Sequence, residues 1–234
     1  MVDRDSESLE RRSFLSRVGV GMAALGVGAA ASLPSRAEAA AAPRWQPALH
    51  PLDDWLDRPK AKHRFVIDST TPAAAGAALL YAGNYFTANK SGYNIEPVDL
   101  AVVIVFRHFS TPFAYSDAVW AKYGAQLSEA LEFTDPKTKQ APGTNLYESA
   151  DYGLSLPNFG TTISSLVQRG AHLAVCDMAT HFLAGLIAEK THGDADGIYR
   201  ELLAGFFPNS HLVPAGIVAV NRAQERGYSF AYAG

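Results

Sequence analysis

Gly170-Ala-His-Leu-Ala-Val-Cys-Asp-Met-Ala179 is the stretch on which the fold turns. A short apolar run, residues 171–175, ends at Cys176, the one cysteine of the 234-residue chain, and a helical pattern starts just beyond it. A buried parallel strand reads as a short apolar run with turn signals at its borders. A residue at the carboxyl end of such a strand points into the region where open α/β sheets bind ligands. The one thiol therefore sits where an α/β protein does its chemistry.

Working outward, Gly170 stops a short helix expected over 160–169. Beyond the cysteine, the pattern predicts helices over 179–190 and 197–207, a strand at 211–216, a helix over 217–226 closed by Gly227, and a last strand at 228–232. Upstream, His63-Arg-Phe-Val-Ile-Asp-Ser69 reads as the first strand. Thr71 suits a helix cap and Pro72 the first helical position, so a helix is expected over 73–89. The near-continuous β-branched run within 98–106 reads as a strand covered on both faces. Arg107-His-Phe-Ser-Thr-Pro112 follows it, with Thr111-Pro112 expected to open a helix over 113–131. Residues 134–158 break the rhythm with Asp-Pro, Pro-Gly and Tyr-Gly pairs. A loop that long inside a compact domain is usually functional or interfacial, so it reads as an insertion covering the sheet rim or reaching another subunit. Strand and helix alternate throughout, which gives an α/β fold with a mostly parallel sheet of about five strands.

The chain opens differently. A polar segment leads to Arg11-Arg-Ser-Phe-Leu-Ser16, a modest apolar run over 18–33 and the small-residue site Ala37-Glu-Ala39. These are the three parts of a signal peptide, and the paired arginines give it the look of a twin-arginine signal over 1–39. The protein is therefore expected to be periplasmic or otherwise exported. Residues 40–62 form an irregular arm with four prolines, whose Trp45 and Trp55 are expected to pack rather than bind. Residues 63–234 form the domain. The whole chain's formal net charge of −3, with no basic run after the signal, argues against nucleic acid as a partner. No stretch after the signal is apolar enough to span a membrane. A single cysteine forms no internal disulfide.

The segment from Gly170 to Cys176, together with Leu212-Val-Pro-Ala-Gly-Ile-Val-Ala-Val220 and Gln224-Glu-Arg-Gly-Tyr228, resembles DsrE/DsrF-like proteins. The likeness covers most of 63–234 apart from 134–158. It implies a three-layer α/β/α domain with a five-stranded sheet in the order 2-1-3-4-5, and a homo-oligomer, trimeric or hexameric. Sulfur-relay members carry sulfur as a persulfide on the cysteine that matches Cys176, which implies a sulfur-acceptor protein as partner. In that strand order the crevice lies between Thr70 and Cys176, with Thr71, Arg107 and Asp177 around it.

Accepting sulfane sulfur needs a thiolate, which a helix N-terminus or a nearby cation favours. The helix after Cys176 supplies the first. His181, in its first turn, is placed to face the thiol as a proton acceptor. His108 is expected two strands away, roughly 10 Å at about 4.8 Å per strand. Asp177 puts negative charge beside the sulfur. His172 alternates along the strand and reads as packed. The seven histidines form no H-x-x-E-H, H-E-x-x-H or CxxC pattern, so no cofactor or metal is expected. Three readings follow. Cys176 carries a persulfide with His181 and His108 as helpers; or the chain is a non-catalytic oligomeric binding or assembly subunit that uses the 134–158 loop; or, more weakly, Cys176, His108 and His181 form a metal or redox site.

Overall fold

The computed structural model describes residues 45–58 and 60–234; the export signal read at 1–39 lies outside the described residues. Five strands, β1 (His63–Ser69), β2 (Leu100–Phe106), β3 (His172–Cys176), β4 (Ser210–Val213) and β5 (Ser229–Tyr232), form one all-parallel sheet. Helices α1 (Pro72–Tyr93), α2 (Asp117–Leu131), α3 (Ile163–Gln168), α4 (Asp177–Thr191), α5 (Ala195–Ala204) and α6 (Gly216–Glu225) flank it. No helix among the described residues is long and apolar enough to cross a membrane.

Strand alternation sorts the side chains onto two faces. Ile67, Val102, Ile104, Phe106, Leu173 and Val175 join the core built by α1 to α5. Val66, Ala101, Val103, Val105, Ala174 and Val213 form a second core with Ala219, Val220 and Ala223 of α6 and Leu56 of the arm. The result is the expected three-layer α/β/α arrangement. Its strand order is β4-β3-β2-β1-β5, whereas the resemblance implied 2-1-3-4-5. The reason lies in β2: all seven of its residues are buried, which requires neighbours on both sides and cover on both faces. An edge position would leave one flank of that β-branched run open. Ser229–Tyr232, mostly exposed, takes the edge instead.

Two local expectations shift. Thr71 caps α1 through its hydroxyl, which accepts from the Ala74 amide at 3.1 Å, and Pro72 opens the helix as predicted. Thr111-Pro112 does not open α2. It lies inside a 3-10 segment, His108–Ala114, after which Tyr115 forms a short antiparallel bridge with Phe206. That bridge holds the chain extended, so the helix starts only at Asp117. The 134–158 segment packs into the larger core. Asn145 donates to the Phe113 and Tyr115 carbonyls at 2.9 and 2.8 Å, and the buried Tyr147 donates to the Pro72 carbonyl at 2.7 Å.

The arm is anchored by a 3-10 turn, Pro51–Leu56. Trp45 is exposed. Trp55 stacks on His211 with ring centroids 4.1 Å apart and planes 7° from parallel. His172 Nδ1 and His211 Nε2 are 2.7 Å apart, and Arg58 donates to His172 Nε2. A nitrogen that accepts from a guanidinium carries no proton, so His172 is protonated on Nδ1 and donates to His211. Both rings are held neutral. Burial, followed by the charges of Arg58 and His211, pushes His172 down to about 4. Burial and Arg58 lower His211 as well.

Candidate functional site

The connections after β1, β2 and β3 all leave towards the face carrying α1 to α5, whereas the chain leaving β4 enters α6 on the opposite face. Adjacent strands whose connections part in this way leave a crevice at their carboxyl ends. Here it opens between β3 and β4, not between β1 and β3. A cavity of about 320 Å³ occupies it, and Cys176, Arg107 and His108 all line it.

Register explains why these three meet. Phe106 pairs with Val175 and Cys176 with Val213. Arg107, the next residue, therefore runs alongside Cys176 at one strand spacing, about 4.8 Å. This corrects the expected two-strand separation of His108 from the thiol. Alternation puts Cys176, like Ala174, on the α6 side. The thiol thus faces the start of α6 across the crevice, while the backbone of Cys176 caps α4 without a side-chain capping bond. Cys176 is 6% exposed. Its carbonyl accepts from the Thr180 hydroxyl at 2.9 Å, and Tyr115 reaches Thr180 at 3.2 Å, so a buried tyrosine steadies the strand end.

Arg107 is fixed by charge. Its Nε and Nη2 donate to the two oxygens of Asp68, each at 2.8 Å, and Asp68 is 2% exposed. Those bonds raise the guanidinium's pKa further above its ordinary value, with smaller contributions from Tyr232 and Cys176. The stem of Arg107 lies against Gly216, the first residue of α6, where a Cβ would come within 2.5 Å of Arg107 Cβ. Glycine there lets the helix start close to the sheet. His108 follows in the left-handed region at φ 57°, stacked on Phe109 at 4.1 Å. The turn is held by Ser110, whose hydroxyl lies 2.8 Å from the carbonyls of both Ser69 and Arg107 and accepts from the Arg107 amide at 2.9 Å. A non-glycine residue kept at positive φ by buried polar contacts presents its side chain at the rim.

The other expected residues lie elsewhere. Thr70 sits 2.7 Å from the Tyr232 hydroxyl, and Thr71 is spent on capping α1. Asp177 accepts from Tyr199 at 2.7 Å, and His181 stacks on Tyr199 at 3.8 Å with its Nε2 3.6 Å from Asp177. Burial and the bond to Asp177 push Tyr199 up to about 12. Asp177, His181 and Tyr199 form a cluster of their own, and neither Asp177 nor His181 lines the crevice. The α4 residues that do are Met178, Ala179 and Phe182, joined by Phe109 and by Ile217 of α6. Sequence reasoning missed Phe182 and Ile217. The spacing of 178, 179 and 182 does mark one helical face, but which face meets the crevice depends on where the crevice lies. No group of three or more His, Cys, Asp or Glu among the described residues is arranged to hold a metal ion. No protein-family model, curated protein or solved structure matches this chain.

Proposed function

We propose that this chain is an exported DsrE-like carrier that holds sulfane sulfur as a persulfide on Cys176. The observation that carries the proposal is the position of the thiol: it lines an open crevice at the carboxyl edge of the sheet, alongside Arg107 and at the start of two helices. A thiol sealed among aliphatic side chains would have no route to a donor. Here the sulfur lines a cavity that opens to solvent, with Arg107 on the neighbouring strand and the first residues of α6 on the facing wall. In this reading His108, exposed on the same wall, exchanges protons with a bound donor. His181 is not, because Asp177 and Tyr199 hold it elsewhere.

Intact-protein mass spectrometry after incubation with inorganic polysulfide tests this. The wild-type chain is expected to gain the mass of sulfur, released by cyanide, and the Cys176→Ser variant to gain none. A Cys176 that alkylates freely yet takes up no sulfur from any donor overturns the carrier reading. It leaves the fold to serve as an oligomeric binding or assembly subunit.

A further inference from the structure

The crevice also bears on which sulfur compound it takes, an inference that rests on the persulfide reading. Two features set its chemistry. First, the cation beside the thiol is already compensated: Arg107 is held in a two-point pair by the buried Asp68, so it offers little net charge to a multiply charged inorganic anion. Second, the mouth is apolar. Met178, Phe182 and Ile217 line the cavity yet are 68%, 58% and 56% exposed, and Phe109 is half-buried beside them. Large apolar side chains converging around one opening mark a binding site more than scattered surface residues do. A volume of about 320 Å³ lies at the lower end of the range for small-molecule pockets, about 300–1,000 Å³.

We infer that the donor is a small organic persulfide, R–S–SH, with an apolar body that lies against Met178, Phe182 and Ile217 while its terminal sulfur reaches Cys176. The transfer balances without an added oxidant. The Cys176 thiolate attacks the terminal sulfur and a new S–S bond forms. The donor's own S–S bond breaks, and its electron pair leaves on R–S⁻, which takes a proton from solvent. The proton on the terminal sulfur stays with it, giving the Cys176 persulfide and R–SH. Sulfur changes carrier and nothing is oxidised overall.

The test compares benzyl persulfide with glutathione persulfide, which share the reacting S–S unit and differ in body, and adds thiosulfate as the inorganic donor. Loading of Cys176 is followed by mass spectrometry, and each rate is divided by that donor's rate with a free low-molecular-weight thiol. The expected result is a preference of about tenfold or more for the benzyl donor, which corresponds to the burial of one small apolar group. In Phe182→Ser and Ile217→Ser, both exposed positions, the preference falls towards one. Equal or faster normalised loading from glutathione persulfide or thiosulfate overturns the apolar-donor inference and leaves the carrier reading standing. An unchanged preference in both rim variants overturns it too. Loading from none of the donors removes both.

Discussion

At the scale of single residues, the crevice rests on contacts that leave little slack. Replacing Arg107 with Leu strands the buried Asp68 carboxylate, and breaking such a pair costs about 3–5 kcal/mol. The double variant Asp68→Asn with Arg107→Leu removes both charges and is expected to recover much of that loss. Urea denaturation of the three proteins measures the difference, and an Arg107→Leu protein as stable as wild type would contradict the pairing. Gly216→Ala drives a methyl group into the Arg107 stem and is expected to cost about 1–3 kcal/mol through overpacking; an unshifted urea midpoint would mean that α6 does not start against the sheet. Cys176, Arg107 and His108 were legible in the sequence because each stands at or just past the end of an apolar strand. Asp68 was not. Its role depends on β1 lying next to β2, a pairing between residues far apart in the chain.

At the scale of elements, the arm is held to the sheet by a chain of neutral rings. Arg58, His172, His211 and Trp55 make up the contact, and Arg58 and His211 are the charged or titrating groups that lower His172. Both histidines have their pKa lowered in the folded state, so the unfolded chain binds more protons. The stabilisation is then fully present above the ordinary value of about 6.5 and is lost as pH falls through about 4. Melting temperature is expected to fall across that window. His211→Gln, which cannot be protonated, is expected to flatten the fall. A wild-type melting temperature equal at about pH 7 and about pH 4 would count against the ring chain. The elements themselves were largely legible from periodicity and caps: β1 matches its expected span, and Thr71 caps α1 as read. The start of α2 was not, because the Tyr115–Phe206 bridge that delays it joins segments about ninety residues apart.

At the scale of the molecule, burial follows sheet position. Ile104 lies at 0% exposure in the central strand and Phe230 at 44% on the edge. Ile104→Ala is expected to cost about 2–5 kcal/mol and Phe230→Ala no more than a small fraction of that, as judged by chemical denaturation. Comparable losses would argue against the central placement of β2. The layers and the parallel sheet could be read from strand–helix alternation. The strand order needed one more inference. The unbroken apolar run over 100–106 demanded the middle of the sheet, while the polar and aromatic 229–232 suited a margin. The order implied by the resemblance puts the crevice on the other side of the cysteine strand, away from Phe182 and Ile217.

The two jaws of this cleft belong to different halves of the protein: α4 is rooted in one apolar core, α6 in the other, and the sheet divides them. Heritable change can therefore re-tailor one jaw while the opposite one keeps its shape. A substitution at Ile217 reshapes the mouth without disturbing the packing beneath Phe182.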